Sequence, residues 1–524
     1  LSNKGSHIKE KLAVIAFILA VTAAAGYPLL LSGQFGGHSS YVDLIRSISW
    51  HQQVLQGEFL PRWMPDFYMG HGSPIFLFYA PASYVMIELV RPLFDSANSA
   101  IKFTYLLLVF FSVSGMYFYG KTLAGRAGGL ASAAVLGFAP YFLVDLYVRN
   151  GIAEFACFAI IPWMFLALHH AAQSGRSRHI LSFSMLFALL IITHNITSLI
   201  FAPIVLGFML ILGNKRIGTM LAAYLAGLMM SAWFWVPAMA EKNLVKSTES
   251  LTEGFYHYSN HFVSMAQLIA PDWGFGPSGS SSDPMSRQIG LVILISMVIA
   301  GALYYKARTK LAPAVSKSLG LLIATFLVGV LFTTSFSKPF WDHLPLLPFV
   351  QFPWRFLLLI TFAGAAVGAY VPTLAAGHIS SGRYVLPVAM VIALMAFASS
   401  IYYIGPQYAV HDIQNNRPYT EKSRLAVQTL SKDPRFVDPE LIFTRNNIRR
   451  MGVTTTSKDD YLPRTVEKSP GKYYGYLVEK VTGDILVENK NLRRSTARFD
   501  YLSKNGATVR CEPFYFPGWR ATLN

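Results

Sequence analysis

The chain has 524 residues, 53% of them hydrophobic and only 14% charged, against about 25% charged in ordinary soluble domains. That deficit, with apolar runs repeated along the chain, excludes a soluble globular protein and points to a polytopic membrane protein. The net charge of +17 is read as Lys and Arg collected in cytoplasmic loops rather than as a nucleic-acid surface, and Cys157 and Cys511 define no disulfide framework.

Residues 1–11 are polar and basic and residues 12–31 apolar, a pattern shared with signal peptides. The run is long enough to cross a membrane and no A-x-A-like cleavage pattern precedes the next loop, so it is read as a retained first helix, 12–32, starting inside beside Lys4, Lys9 and Lys11. The stretch that follows, Gly37 to Tyr84, is dense in Asp43, Arg46, His51, Arg62, Asp66 and His71 among Pro and Gly breaks. On a helix, Asp43 shares one face with Arg46, Ser47 and Trp50, while Tyr41, Leu44, Ile45, Ile48 and Leu55 share the other. The expectation is an amphipathic helix lying in the membrane interface, apolar face down. Residues 74–94 are apolar but broken by Pro74, Pro81 and Pro92 and carry Glu88 and Arg91. They are expected not to span, because a crossing there would put Lys121, Arg126 and every later basic loop outside.

The remaining spans are expected near 99–119, 127–145, 155–172, 179–195, 196–213, 217–238, 289–305, 318–334, 354–374 and 384–403, eleven in all, with the N-terminus inside and the C-terminus outside. Long external loops are expected at 240–288 and around SFSKPFWDHLPLLPFVQFPWR. From 404 the composition changes. GYLVEKV, GDILVEN, TARFDYL and ATVRCEPFYF alternate with period two, and Asn505-Gly506 suits a hairpin turn. The fold class expected is therefore an all-α polytopic bundle, residues 1–403, with a first external loop at 33–95, and an extracytoplasmic β-rich domain from 404 to 524 that continues beyond the last residue.

The external turns hold most of the unusual polar groups: Asp43, Arg46, Arg62 and Asp66, then Arg149 and Glu154, His194, Glu241 and Lys242, and Arg355. Ionisable groups at membrane depth usually mark function, although Arg149, Lys242 and Arg355 at span ends also suit interfacial anchoring. Their common side favours function, with the bundle bringing them over one cavity. Asp43 is the best candidate for a general base or a ligand for a divalent cation (Mg or Mn), with an intrahelical pair to Arg46 as the structural alternative. Asp66 is the second candidate, although the sequence favours a turn residue after Pro65. His38 and His71 sit at no zinc spacing. Arg149 and Arg355 suit phosphate oxygens. No Walker A loop, dinucleotide fingerprint or GxSxG elbow is present.

The runs GEFLPRWMPDFYMGHGSPIFLFYAPASY, YVRNGIAEF with a following Pro162, THN, SAWFWVPAMAE and QFPWRFL resemble a family of polytopic membrane proteins named as related to 6-pyruvoyl-tetrahydropterin synthase. That family looks like a branch of the GT-C glycosyltransferases. The resemblance covers nearly all of residues 30–370, and FYFPGW is similar to the C-terminal β-domain of related bacterial membrane proteins. It implies a polyprenyl-phosphate sugar donor, a catalytic Asp or Glu in the first external loop, and juxtamembrane helices that lie flat. Related sequences often read GHD followed by a later His. Here the stretch is Gly37, His38, Ser39, with Asp43 where that His would fall.

The reading is an inner-membrane glycosyltransferase moving a sugar from a polyprenyl-phosphate carrier to a glycan, lipid or protein acceptor outside. Asp43, then Asp66, would be catalytic, with Asp43 also the metal candidate. Arg149, Arg355 and Lys242 would hold donor phosphate, and His38, Arg46, Arg62, Glu154, His194 and Glu241 would line the substrate site. Partners are membrane lipid and a protein complex, not nucleic acid. The rival readings are a catalytically inactive scaffold or assembly subunit of the same fold and, third, a lipid or polysaccharide transporter.

Overall fold

The computed structural model describes residues 2–31, 37–213, 216–246, 252–274, 285–309, 311–378, 382–405, 461–467, 478–483, 486–493, 496–503, 507–511 and 516. Among the described residues the regular structure up to residue 405 is helical, as lipid demands of any spanning backbone, and the strands lie after residue 477. The chain divides into two compact units: residues 1–38, 102–232 and 255–409 form the first, and residues 39–101, 233–254 and 410–524 the second. Residues 39–101, which hold most of the stretch expected as a first external loop, thus share a unit with residues 410–524.

Seven helices among the described residues are long and apolar enough to cross a membrane: 8–30, 97–137, 152–174, 195–212, 313–333, 353–375 and 382–403. The pair Ile217–Met230 and Ala232–Leu244 adds an eighth if it is one broken span. The expected spans 179–195 and 289–305 fall on Ser177–Thr193 and Leu291–Ala307, apolar helices of 17 residues each, at the lower end of what a crossing needs.

The expected pair 99–119 and 127–145 falls on one run of 41 helical residues, Ala97–Gly137. A straight helix of that length would reach about 60 Å, twice the hydrocarbon thickness. The run is instead a hairpin. Ala124 (φ −145°, ψ 26°) and Gly125 (φ 76°, ψ −174°) leave helical geometry, and Ser132 Oγ donates to the Met116 carbonyl at 3.1 Å, residues that a continuous helix would hold about 24 Å apart. Gly125 supplies the left-handed backbone that lets the chain turn. Gly129 lets the arms touch, since a Cβ there would lie 2.7 Å from the Tyr117 carbonyl oxygen.

In the second unit, Ser40–Leu55 forms the expected helix. Its two faces are not divided between water and lipid: Asp43, Arg46, Ser47 and Trp50 are buried, and so are Leu44, Ile45 and Ile48. Leu55 at its end is exposed, but from Asp43 to Trp50 both faces pack inside protein, where the expectation was an interfacial helix with one wet face. The 74–94 segment is broken into Ile75–Phe78, Ala82–Val90 and a 3-10 turn at Arg91–Leu93, each far short of the roughly 20 residues of a crossing. Leu77, Phe78, Val245 and Phe516 share a small core, with Phe78 stacked on Tyr461 at 5.7 Å. A bridge between Val245 and Pro463 ties the 233–254 segment to the C-terminal part. There β1 (Val478–Gly483) pairs antiparallel with β4 (Ala507–Cys511), and β2 (Leu486–Arg493) with β3 (Thr496–Leu502). Asn505-Gly506, between β3 and β4, lies outside the described residues.

Candidate functional site

Two buried clusters of polar side chains stand out, one in each unit.

In the second unit, Asp43 and Arg46 are 3% and 1% exposed. One helical turn apart, they meet the same partner. The Tyr84 hydroxyl donates to Asp43 Oδ1 at 2.6 Å and accepts from Arg46 Nη1 at 3.5 Å, and the Arg46 guanidinium lies 4.6 Å over the Tyr79 ring. Trp50 closes the group, edge-on to Phe76 at 4.8 Å and stacked on Tyr84 at 6.1 Å. Burial, then the charge of Asp43, push the Tyr84 phenol well above its ordinary range, so it remains a donor. Asp43 Oδ1 is thereby fixed as the acceptor of this bond. It does not fit a cation: beside Asp43 stand a guanidinium and a phenol, and no three His, Cys, Asp or Glu side chains gather anywhere among the described residues. Hard divalent cations need several oxygen ligands, and no step below is routed through one.

In the first unit, the charges gather around irregular backbone. Asp145–Arg149 is a π-turn, followed by Asn150 in the left-handed region (φ 50°), whose Nδ2 donates to the Leu146 carbonyl at 3.0 Å. Such turns are rare and frequently functional. Arg149 Nη1 donates to Asp145 Oδ1 at 2.6 Å and to the Tyr141 hydroxyl at 3.3 Å, and lies 2.9 Å from Glu154 Oε1. Tyr141 itself donates to Glu154 Oε1 at 2.6 Å. The Arg149 guanidinium sits 4.5 Å over the Trp354 ring. Arg355 Nε approaches Glu154 Oε2 at 3.4 Å.

A second irregularity holds Arg355. Gln351 has φ 65° and ψ −54°, and Phe352 N donates to the Val350 carbonyl at 2.7 Å. This is a strained γ-turn. It presents two acceptors to Arg355 Nη1, the Val350 carbonyl at 2.8 Å and Gln351 Oε1 at 3.0 Å. His194 caps the Asn195–Leu212 helix, its Nδ1 paired with the Thr197 hydroxyl at 2.7 Å. Burial pushes the His194 imidazole down to about 3, against the pull of Glu154 and with the push of Arg355 and Arg149. It is neutral near pH 7.

Of the residues singled out from the sequence, Arg149, Glu154, His194 and Arg355 therefore meet in the first unit, and Asp43 with Arg46 in the second. Asp66 is buried in the Pro61–Ser73 reversal, just before Tyr68 and Met69 at positive φ, a turn setting. Arg62 is exposed and donates to the Trp233 carbonyl at 3.2 Å. His38 is half-buried, its backbone N–H donating to the Val148 carbonyl at 2.9 Å beside the π-turn. Glu241 is half-buried and Lys242 exposed on the 233–254 segment of the second unit. Sequence reasoning missed Asp145, Tyr141, Gln351 and Tyr84. Asp145 was findable, being four residues before Arg149 on a helical pitch and the one acid in an apolar run.

A helical, multi-pass membrane protein with ion clusters buried at the ends of its spans is the class these features define. Residues 76–404 match the family described as "6-pyruvoyl-tetrahydropterin synthase related domain; membrane protein". The match covers more than half of the chain, and the chain belongs to that family. No curated protein sequence matches it. Among solved structures it is similar to the archaeal oligosaccharyltransferase AglB from Archaeoglobus fulgidus in complex with an inhibitory peptide and a dolichol-phosphate, at 12% identity and TM-score 0.49, over 87% of this chain and 62% of that one. It is also similar to the same organism's oligosaccharyltransferase in complex with Zn and sulfate, at 11% identity and TM-score 0.47, over 86% and 58%. A third is ArnT from Cupriavidus metallidurans bound to undecaprenyl phosphate, at 10% identity and TM-score 0.36, over 79% and 94%. The chain thus spans about three fifths of the length of the archaeal structures.

Proposed function

We propose that the protein is a GT-C-type membrane glycosyltransferase, moving a sugar from a polyprenyl-phosphate carrier to an acceptor on the extracytoplasmic face of the inner membrane. The observation that carries the reading is the buried Asp43, oriented by the Tyr84 hydroxyl at 2.6 Å on the first helix after the first span. Asp43 is the general base. The acceptor hydroxyl gives its proton to this carboxylate as its oxygen bonds to the sugar's anomeric carbon, and the bond from that carbon to the phosphate oxygen breaks. The electron pair leaves with the lipid phosphate. Within the first unit, Arg149 and Arg355 are the residues suited to hold a phosphate. Tyr84 holds the base in one orientation, and Trp50 stacks on Tyr84.

The test uses membranes containing the full chain, supplied with radiolabelled polyprenyl-phosphate sugars. Wild type is expected to label an acceptor, and Asp43→Asn to cut the rate by about 10²–10⁴-fold with unchanged expression. Full activity in Asp43→Asn sinks the assignment. A second reading, an inactive scaffold, is favoured by the same burial, since Asp43 bonded to Tyr84 is also a satisfied structural group. On that reading no donor labels any acceptor, and Asp43→Asn alters only stability.

A further inference from the structure

Around Arg149 the charges cancel: Asp145 and Glu154 face Arg149 and Arg355, and His194 is neutral beside them. The Asp145 and Glu154 side chains are 0% and 3% exposed, and the Arg149 and Arg355 side chains 11% each. Every protein hydrogen bond and ion pair of Arg149 passes through Nη1. Among the described residues Nε and Nη2, the pair that grips an oxyanion side-on, have no protein partner. An anion on that edge would leave the buried cluster with a net negative charge, which a low-dielectric setting strongly disfavours.

We propose that this site binds a singly charged phosphodiester on the Nε/Nη2 edge of Arg149 and takes up one proton on Asp145 as it does so. The inference deepens the donor-phosphate assignment above and rests on it. Asp145 is the carboxylate that yields because its hold is the weaker. It has one bond, from Arg149 Nη1, and its Oδ2 is buried without a hydrogen-bond partner. Glu154 faces two guanidiniums and the Tyr141 phenol. The groups that face Asp145 are Arg149 on its own turn, Tyr141 before it, Glu154 and Cys157 on the following helix, and Arg355 from the 353–375 span. Burial already holds the Asp145 carboxyl well above the usual carboxylate range, against the pull of Arg149. With Asp145 neutral, the whole Arg149 charge is available to the anion. With Asp145 ionised, carboxylate and anion compete for it.

The experiment is titration calorimetry on the full chain in detergent, in buffers of different ionisation enthalpy. The probes are a prenyl methyl phosphate and dimethyl phosphate, phosphodiesters that do not themselves titrate near neutral pH. Wild type is expected to bind with uptake of close to one proton, affinity falling about tenfold per pH unit where Asp145 is ionised. Asp145→Asn is expected to bind at least tenfold more tightly at pH 8, with no proton uptake and no pH dependence. Binding by wild type without proton uptake overturns the inference and leaves the phosphate site standing, a result that needs no variant to fold. Weaker binding by Asp145→Asn also overturns it. No binding of either probe overturns the phosphate site itself. Tighter binding of the prenyl ester supports a lipid phosphate, and equal binding of dimethyl phosphate overturns the lipid part of the assignment.

Discussion

Tyr84 and Gln351 show how much of each cluster depends on one side chain that does no chemistry. Tyr84→Phe removes the donor from a buried carboxylate, and an unsatisfied buried acceptor costs about 1–3 kcal/mol. The variant is expected to unfold at correspondingly lower denaturant in detergent, with Trp50 packing kept. Gln351→Ala leaves the strained backbone in place but deletes one acceptor of Arg355. Weaker binding of phosphate probes at nearly unchanged stability is the expected result, read by the same calorimetry. His194 carries a pH signature. It titrates near 6.5 when unfolded and near 3 when folded, so between those values the unfolded chain holds the extra proton. Its contribution to stability is complete above pH 6.5 and is lost as pH falls toward 3. Thermal midpoints in detergent are expected to drop between pH 7 and pH 5, and to drop less in His194→Asn. At this scale the sequence revealed which charges were unusual, because a charge in an apolar run needs a reason. It did not reveal their partners. Tyr84 lies 41 residues from Asp43, and Gln351 gains its role from a γ-turn that no residue pattern announces.

Among the elements, the 97–137 hairpin was the most legible. Basic residues at Lys121 and Arg126 between two apolar runs marked a turn, and Ala124–Gly125 makes it without any intervening loop. Its arms are close enough that Gly129→Val is expected to lower stability in detergent by about 1–3 kcal/mol through overpacking. Gly207→Ala, at a helix position where an added methyl meets open space, is expected to be neutral or slightly stabilising; equal loss in both variants would refute close packing of the arms. The Ser40–Leu55 helix was legible in extent but misleading in setting. Its amphipathic pattern predicted one wet face, yet Asp43, Arg46 and Trp50 are covered by aromatic rings from the Pro-rich segment that follows. Periodicity reports which residues share a face. It does not report whether that face meets water or a tyrosine.

At the scale of the molecule, charge distribution is the feature the sequence expresses most directly. Arg176 falls between the Ile152–Ser174 and Ser177–Thr193 helices and Arg178 in the first turn of the second, and Lys306 and Arg308 at the end of Leu291–Ala307. If these turns face the cytoplasm, as basic turns do, a reporter fused after residue 309 is expected to read cytoplasmic and one fused after residue 405 extracytoplasmic. The inverse pattern would overturn the orientation.

The neutrality of the Arg149 cluster reaches beyond the site. Two positive and two negative groups packed together form a compact multipole whose field dies away within a few ångströms, well inside the roughly 8 Å over which physiological salt screens a bare charge. Such a site casts no funnel into solution and draws nothing toward itself. If the proposed lipid phosphate binds there, its rate of capture is expected to be indifferent to ionic strength, as for a ligand delivered by sideways diffusion within the bilayer.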